Sequence, residues 1–267
     1  MKDHLIRLIG DHATLQGRNV AREYLQSRIL AALQRAGAMT SLAFQGGTCL
    51  RFAFNLPRYS EDLDFALEGD ASDYDLGAFL KSVGSLLIAE NYHVETRLRQ
   101  QRTVHSAMVR FPGILHETGL SPHPAEVLAV RVEVDTRPPA GARTAISLVR
   151  RHVTLRLYHH DRASLLAGKL HAVLQRPFAK GRDLFDLIWY LSDPAWPAPN
   201  LTLLNAALRQ TDWQGEELTQ QTWRSVVRQR IEELDWNHIV RDVSPFLEDQ
   251  SDVDLLTRDN AMRLLER

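Results

Sequence analysis

The sequence predicts an α+β chain in which a mixed β-sheet with flanking helices is followed by a helical C-terminal domain. Three observations lead there. Strand-like runs occur over residues 92–98, 104–111 and 127–135, and in the last of these Val130, Val132 and Val134 alternate with Arg131, Glu133 and Asp135. From Ala163 onward the period becomes helical, with apolar stripes at Leu165, Leu166, Leu170, Val173 and Leu174 and again at Leu184, Leu187, Ile188 and Leu191. Nearer the N-terminus an apolar run ends in Gly46-Gly47-Thr48, a turn between a strand and a helix. The change of character sets a boundary near residue 160, with domains over 1–160 and 161–267.

In chain order, residues 19–36 place Val20, Tyr24, Ile29, Leu30 and Leu33 at helical spacing and stop before Gly37. This helix is expected to pack on the sheet. Residues 41–45 read as a short strand, and the Gly46-Gly47 turn launches a helix through Thr48 to residue 54. Pro57 cannot continue that helix, so 55–59 is a turn carrying Arg58. Residues 62–67 are the second strand. A polar loop at 69–75 precedes a helix over 76–90. The linker between the second and third strand-like runs contains Pro112, Gly113, Gly119, Pro122 and Pro124 and reads as an irregular loop, while Pro138-Pro139 ends the third run. Residues 153–157 are a final edge strand. Helices over 164–175 and 182–191 follow, prolines at 194, 197 and 199 break the chain, and the remainder is helical with Trp213, Trp223 and Trp236 as packing anchors.

Composition limits the function classes. The 267 residues are 44% hydrophobic and 24% charged, enough for a large core in one large or two modest domains. A net charge of −1 argues against a whole-chain basic coat but leaves room for a local basic groove. Arginines cluster at Arg97, Arg99, Arg102 and Arg110 and at Arg143, Arg150, Arg151 and Arg156; a solvated charged face is the even alternative. The single Cys49 rules out an internal disulfide and a cysteine metal cluster. It lies near a helix start, yet no paired base is evident, so a small buried hydrophobe is expected. The histidines, His159-His160 and His171 among them, show no zinc spacing and read as structural. No apolar run approaches membrane-spanning length and Met1-Lys2-Asp3-His4 does not open a signal peptide, so a cytoplasmic chain without a membrane partner is expected.

The chemistry concentrates in Gln45-Gly46-Gly47-Thr48 and Ser60-Glu61-Asp62-Leu63-Asp64-Phe65. Alternation turns Asp62 and Asp64 to one face and Leu63 and Phe65 to the other. Two adjacent carboxylates repel unless a cation sits between them, and a glycine turn opening a helix offers backbone N–H groups to phosphate. Together they read as a metal–nucleotide site. A third carboxylate on a neighbouring strand would complete a site for two ions roughly 4 Å apart; Asp135 is the candidate and Glu133 the runner-up, with a plain strand-end turn as the alternative for Asp135.

Gln45-Gly46-Gly47-Thr48-Cys49-Leu50 followed by Pro57-Arg58-Tyr59-Ser60-Glu61-Asp62-Leu63-Asp64-Phe65 resembles the signature of the AbiEii/AbiGii toxin family, nucleotidyltransferase-like proteins to which the MenT toxins are related. Leu166-Ala167-Gly168-Lys169-Leu170-His171-Ala172 and Lys180-Gly181-Arg182-Asp183-Leu184-Phe185-Asp186-Leu187 resemble two further motifs of the family. The resemblance implies a nucleotidyltransferase-like mixed sheet joined to a helical C-terminal domain. It implies Mg²⁺, with Mn²⁺ as an alternative, on Asp62 and Asp64, an NTP substrate, and nucleotide-binding residues at Gly46, Gly47, Thr48, Arg58, Ser60 and Arg182. Ser60 is also a candidate control point. Lys169 would contact the phosphates and Asp183 would be the essential carboxylate of the last motif. An ion pair of Lys169 with Asp183 or Asp186 is the structural alternative, since a buried ammonium needs an anionic partner. Arg176, seven residues beyond Lys169, would extend the positive surface.

The implied activity is transfer of a nucleoside monophosphate to RNA, with the tRNA 3′ end as the implied acceptor, by a toxin that blocks translation in phage defence or growth control and is opposed by a cognate antitoxin. Transfer to a protein or small molecule, or a catalytically silent binding module, are the alternatives. The nucleotide is expected between the two domains.

Overall fold

The computed structural model describes residues 2–12, 14–100 and 102–266. The chain runs α1 (Lys2–Ile9), α2 (Thr14–Arg35), β1 (Leu42–Gln45), α3 (Gly46–Phe54), β2 (Leu63–Leu67), α4 (Leu76–Ala89), β3 (Glu95–Arg99), β4 (Val104–Pro112), α5 (Ile114–Glu117), β5 (Val127–Asp135), β6 (Thr144–Arg150) and β7 (Thr154–His160). It continues through α6 (Arg162–Gln175), α7 (Gly181–Ser192), α8 (Leu201–Gln210), α9 (Trp223–Glu232), α10 (Trp236–Val243) and α11 (Arg258–Glu266). Two compact units result. One comprises Met1–Asn55, Tyr59–Pro138 and Ile146–His159; the other comprises Leu56–Arg58, Pro139–Ala145 and His160–Arg267.

In the first unit, strands line up in the order β3-β4-β5-β2-β1-β7-β6. β1 runs antiparallel to β2 and parallel to β7, and β2 runs parallel to β5, so the sheet is mixed. Its apolar face is built from alternate residues: Phe44, Phe65 and Val134 stand in register across three strands, and all are buried. The Phe44 and Phe65 rings lie 5.2 Å apart, within the range of a favourable aromatic pair. Helix α2 packs against α1, α4 and β5. Its Leu25, Ile29, Leu30 and Leu33 are fully buried, and buried residues surround much of its circumference because neighbours cover it on several sides.

Several expectations shift. The helix expected over 19–36 begins at Thr14, and α1, which sequence reading missed, precedes it. The linker expected to be irregular holds the short helix α5. The strand expected over 92–98 begins at Glu95; all five of its residues are exposed, as an edge strand allows. The strand expected at the sheet edge over 153–157 lies inside, between β1 and β6. The edge on that side is β6, whose outward Ile146 and Leu148 are exposed and so blur the alternation that would have marked it.

The first unit also buries a charged cluster. Glu23 of α2 accepts from Arg51 of α3 at 2.5 Å, pairs with Arg151 at 2.9 Å and lies 3.0 Å from the His152 ring, both in the β6–β7 turn. The Arg51 guanidinium also stacks on Tyr59, 4.7 Å from its centroid. One carboxylate thus ties two helices and a turn.

In the second unit, α6 packs against α7, α8 and α9, and α7 against α10 and α11. Trp223 is fully buried and is the anchor among the three tryptophans; Trp213 and Trp236 are only half-buried. Helix α7 begins where Gly181 presses on α10: an added β-carbon would lie 2.0 Å from the Ile239 carbonyl oxygen, and the Gly181 N–H donates to Asp242 at 2.8 Å.

Burial alone would raise the pKa of Glu23, but the His152 hydrogen bond and the charges of Arg51 and Arg151 outweigh it and hold the group at about 2. A carboxylate depressed on folding contributes stability above its unfolded pKa, and that contribution drains as pH falls from about 4.5 toward 2. Acid titration followed by circular dichroism should therefore show a component lost across that window and missing in Glu23→Gln. At neutral pH the variant should be less stable by about 3 kcal/mol in urea unfolding.

Candidate active site

The site begins where β1 hands over to α3. Gln45 is the extended residue before the helix and makes no side-chain cap, so the first N–H groups of α3 have no side-chain acceptor from the capping position. Gly46 opens the helix with φ of 77°, a left-handed conformation that disfavours any residue with a β-carbon. It also lies directly against Asp64: an added β-carbon would sit 2.5 Å from Asp64 Oδ2. Register places Gln45 opposite Asp64, so the turn and the carboxylate meet by strand pairing.

Thr48 is fully buried and its hydroxyl donates to the Asp62 carbonyl oxygen. The proton of this hydroxyl thus fixes the segment that presents Asp62. Ser60 and Glu61 are held from the other side, their carbonyls accepting from Gln26 Nε2 of α2 at 3.0 and 2.9 Å. The strand expected from Asp62 starts one residue later, at Leu63, with Leu63 and Phe65 buried and Asp64 half-buried between them. Cys49 sits behind this array. Burial pushes its thiol up and the charge of Asp64 pushes it further, so it is a packed, unreactive side chain.

For the third carboxylate, the parallel pairing of β2 with β5 sets Asp64 beside Glu133 and Ala66 beside Asp135. The runner-up is therefore the direct neighbour. Asp135 lies further along, and its Oδ1 accepts from the Arg137 N–H at 2.9 Å, which is the work of a strand-end turn. Among the described residues no three His, Cys, Asp or Glu side chains converge as a metal cage. Mg²⁺ fits such a place nonetheless, since it usually takes one or two carboxylates and leaves its other positions to substrate phosphates and water.

The two later motifs come together within the second unit. Lys169 on α6 lies 2.7 Å from Asp186 and 3.0 Å from Asp183, both on α7. Arg176 pairs with the other oxygen of Asp183. Arg58, expected on the nucleotide, is instead buried with Asp186, its Nε and Nη2 donating to the two carboxylate oxygens at 2.6 Å each. Burial would lower the Lys169 pKa, but Asp186 and Asp183 together raise it. Burial likewise would raise Asp183, but Lys169 and Arg176 hold it below the usual carboxylate range. The ammonium is thus charged and partnered, as the ion-pair alternative for Lys169 expected. Arg182 stacks on Phe246, 4.3 Å from the ring centroid.

The histidines have structural partners. His159 is buried, 2.9 Å from the Ser147 hydroxyl and edge-on to Phe54; His171 lies 3.0 Å from the Thr211 hydroxyl, with its pKa lowered by burial and by Arg176. Sequence reading missed Glu23, Gln26 and Gly181. Gly181 alone carried a signal, a glycine at the head of a helix motif.

A model of the family described as nucleotidyl transferase AbiEii toxin, type IV toxin–antitoxin system, matches residues 28–260. No curated protein matches the chain significantly. Among solved structures, JHP933 from Helicobacter pylori has a TM-score of 0.55 at 18% identity, with 93% of this chain and 92% of that one covered. MenT4, a nucleotidyltransferase toxin from Mycobacterium tuberculosis, has a TM-score of 0.50 at 18% identity over 99% of both chains. The mixed sheet with flanking helices is thus a nucleotidyltransferase-like fold.

Two substitutions test the geometry. Gly46→Ala should strain the turn by about 1–2 kcal/mol and displace the Asp64 carboxylate, so nucleotide transfer should fall much further than the thermal midpoint does. Asp186→Ala should strand Arg58 in a buried site, leave Lys169 with Asp183 alone, and cost about 3–5 kcal/mol in urea unfolding.

Proposed function

We propose, from the premise that the chain belongs to the AbiEii nucleotidyl transferase toxin family of type IV toxin–antitoxin systems, that it transfers a nucleoside monophosphate from an NTP to the 3′ end of tRNA and so blocks translation. Family membership makes the chain a nucleotidyltransferase toxin, with an NTP as donor and an antitoxin as its opposing partner. The finer reading is Mg²⁺-dependent transfer, with Mn²⁺ as the substitute ion, to an RNA acceptor in the cytoplasm during phage defence or growth control. Among the described residues no helix is long and apolar enough to cross a membrane.

The observation that carries this reading is the close approach of Asp64 to Gly46 at the start of α3, where the capping residue Gln45 makes no side-chain hydrogen bond. It sets a carboxylate for a cation next to N–H groups for phosphate. Asp62 and Asp64 would hold the divalent ion, which when bound polarises the α-phosphate and lowers the pKa of the attacking hydroxyl. The N–H groups of Gly46, Gly47 and Thr48 would orient phosphate oxygens of the NTP. Thr48, through the Asp62 carbonyl, keeps the first carboxylate in place as the substrate enters. Lys169 and Arg182 would offset charge developing on the departing pyrophosphate. The ion pairs of Lys169 with Asp183 and Asp186 support a charged ammonium, and the register that sets Glu133 beside Asp64 supports Glu133 as the third carboxylate.

The test is incubation of purified protein with labelled NTPs, Mg²⁺ and total RNA, protein or small acceptors. Label should enter tRNA and lengthen it, and EDTA should stop the reaction. Asp62→Asn and Asp64→Asn should each lower the rate at least about 100-fold with the thermal midpoint unchanged. Label in protein or a small molecule alone would move the reading to that acceptor, and full activity in both variants would remove the metal site from it.

A further inference from the structure

The sheet face that carries Asp64 continues into a groove of opposite charge within the first unit. On β5, Ala129, Arg131 and Glu133 turn to this face while Leu128, Val130 and Val132 are buried on the other. Register sets Met108 and Arg110 of β4 beside Arg131 and Ala129. Arg97 and Arg99 of β3 stand in turn beside Met108 and Ser106. Arg97, Arg99, Arg110 and Arg131 thereby line a groove of about 380 Å³.

Among the described residues, neither Arg97 nor Arg99 is paired with a carboxylate. Arg110 lies 3.8 Å from Glu95 and Arg131 lies 3.5 Å from Glu133, exposed pairs of little strength. In a chain with a net charge of −1, four arginines on one patch of sheet make a concentrated positive field.

We propose that this groove seats the sugar–phosphate backbone of the acceptor nucleic acid and leads its single-stranded end along β5 toward Asp64. The proposal rests on the reading of RNA as acceptor and names the surface that would bind it. Three features favour a nucleic acid. Guanidinium forks match phosphate oxygens two at a time, and Arg97 and Arg99 project from one face about 7 Å apart, a separation at which each can take its own phosphate of an extended strand. Between the arginines the floor is small or apolar, with Ser106, Val127 and Ala129, which leaves room for riboses and bases. The groove is also continuous with the site: Arg131 is two residues from Glu133, and Glu133 is the direct neighbour of Asp64. An acidic protein would satisfy the charge, but it would have no need of a track ending at Asp64.

Binding of deacylated total tRNA and of a uridine 20-mer, measured by fluorescence anisotropy in EDTA without NTP across a salt series, tests this. Arg97→Gln/Arg99→Gln should weaken binding of both probes on the order of tenfold and flatten the log K against log salt slope by about 1.4, two phosphate contacts' worth for a single strand. Arg131→Gln on β5 should flatten it by about 0.7. Arg97→Lys/Arg99→Lys should keep most of the slope, and Arg35→Gln, an exposed arginine of α2 away from the groove, should match wild type. All variants are first checked for unchanged thermal unfolding, and the Arg131 variant carries the test if the double variant unfolds.

Unchanged affinity and slope in the folded glutamine variants would overturn the proposal, even if wild type lengthens tRNA. Weakened tRNA binding without any NTP-dependent lengthening by wild type would support the groove while removing the transfer reading. Variants that lose the cognate antitoxin but bind tRNA as wild type does would overturn it in favour of an acidic protein partner.

Discussion

A carboxylate pressed against a glycine is the constraint on which the first unit's site depends. Asp64 approaches Gly46 so closely that even a methyl group would collide with its oxygen, and the same glycine must hold a positive φ. Pairing of β1 with β2 imposes that approach, because Gln45 is fixed opposite Asp64. The turn therefore cannot drift from the carboxylate without breaking the sheet. Thr48 and Gln26 add hydrogen bonds to the carbonyls of the segment leading into β2.

The second unit solves a different problem, that of keeping charges in a dry place. Asp186 is fully buried and Asp183 nearly so, and isolated carboxylates there would be costly. Arg58, Lys169 and Arg176 answer them, giving these five side chains one more positive than negative charge. A buried ion cluster is a weak source of net stability but a strong source of specific geometry when every member is bonded. It aligns α6 with α7 and holds the segment at Arg58 against the same helix. A lysine so held stays protonated.

The two faces of the sheet divide the labour in the first unit. One face, with Phe44, Phe65 and Val134, is packed and apolar. The other, read along β5 and across to β2, carries Arg131, Glu133 and Asp64 in close succession. The period of two that builds the core therefore also sorts charged groups onto a single accessible surface.

The sequence by itself determined which residues could alternate, turn and carry charge. The Val130, Val132 and Val134 series, the Gly46-Gly47-Thr48 turn and the Asp62, Asp64 pair were legible because their signals are local in the chain. So were the helical stripes of α6 and α7 and the inert character of Cys49. Tertiary structure decided every matter that depends on residues far apart in the chain. Pairing of β2 with β5 is a non-local choice, and only its register distinguishes Glu133 from Asp135. The partner of Arg58 is 128 positions away at Asp186, so a turn arginine gave no sign of being buried. Glu23 looked like one more polar residue on α2 until α3 and the β6–β7 turn supplied Arg51, Arg151 and His152 around it. Local patterns specify the elements because they act through a residue's own backbone and near neighbours; partners are settled only when the packed chain removes water and leaves each buried charge one place to go.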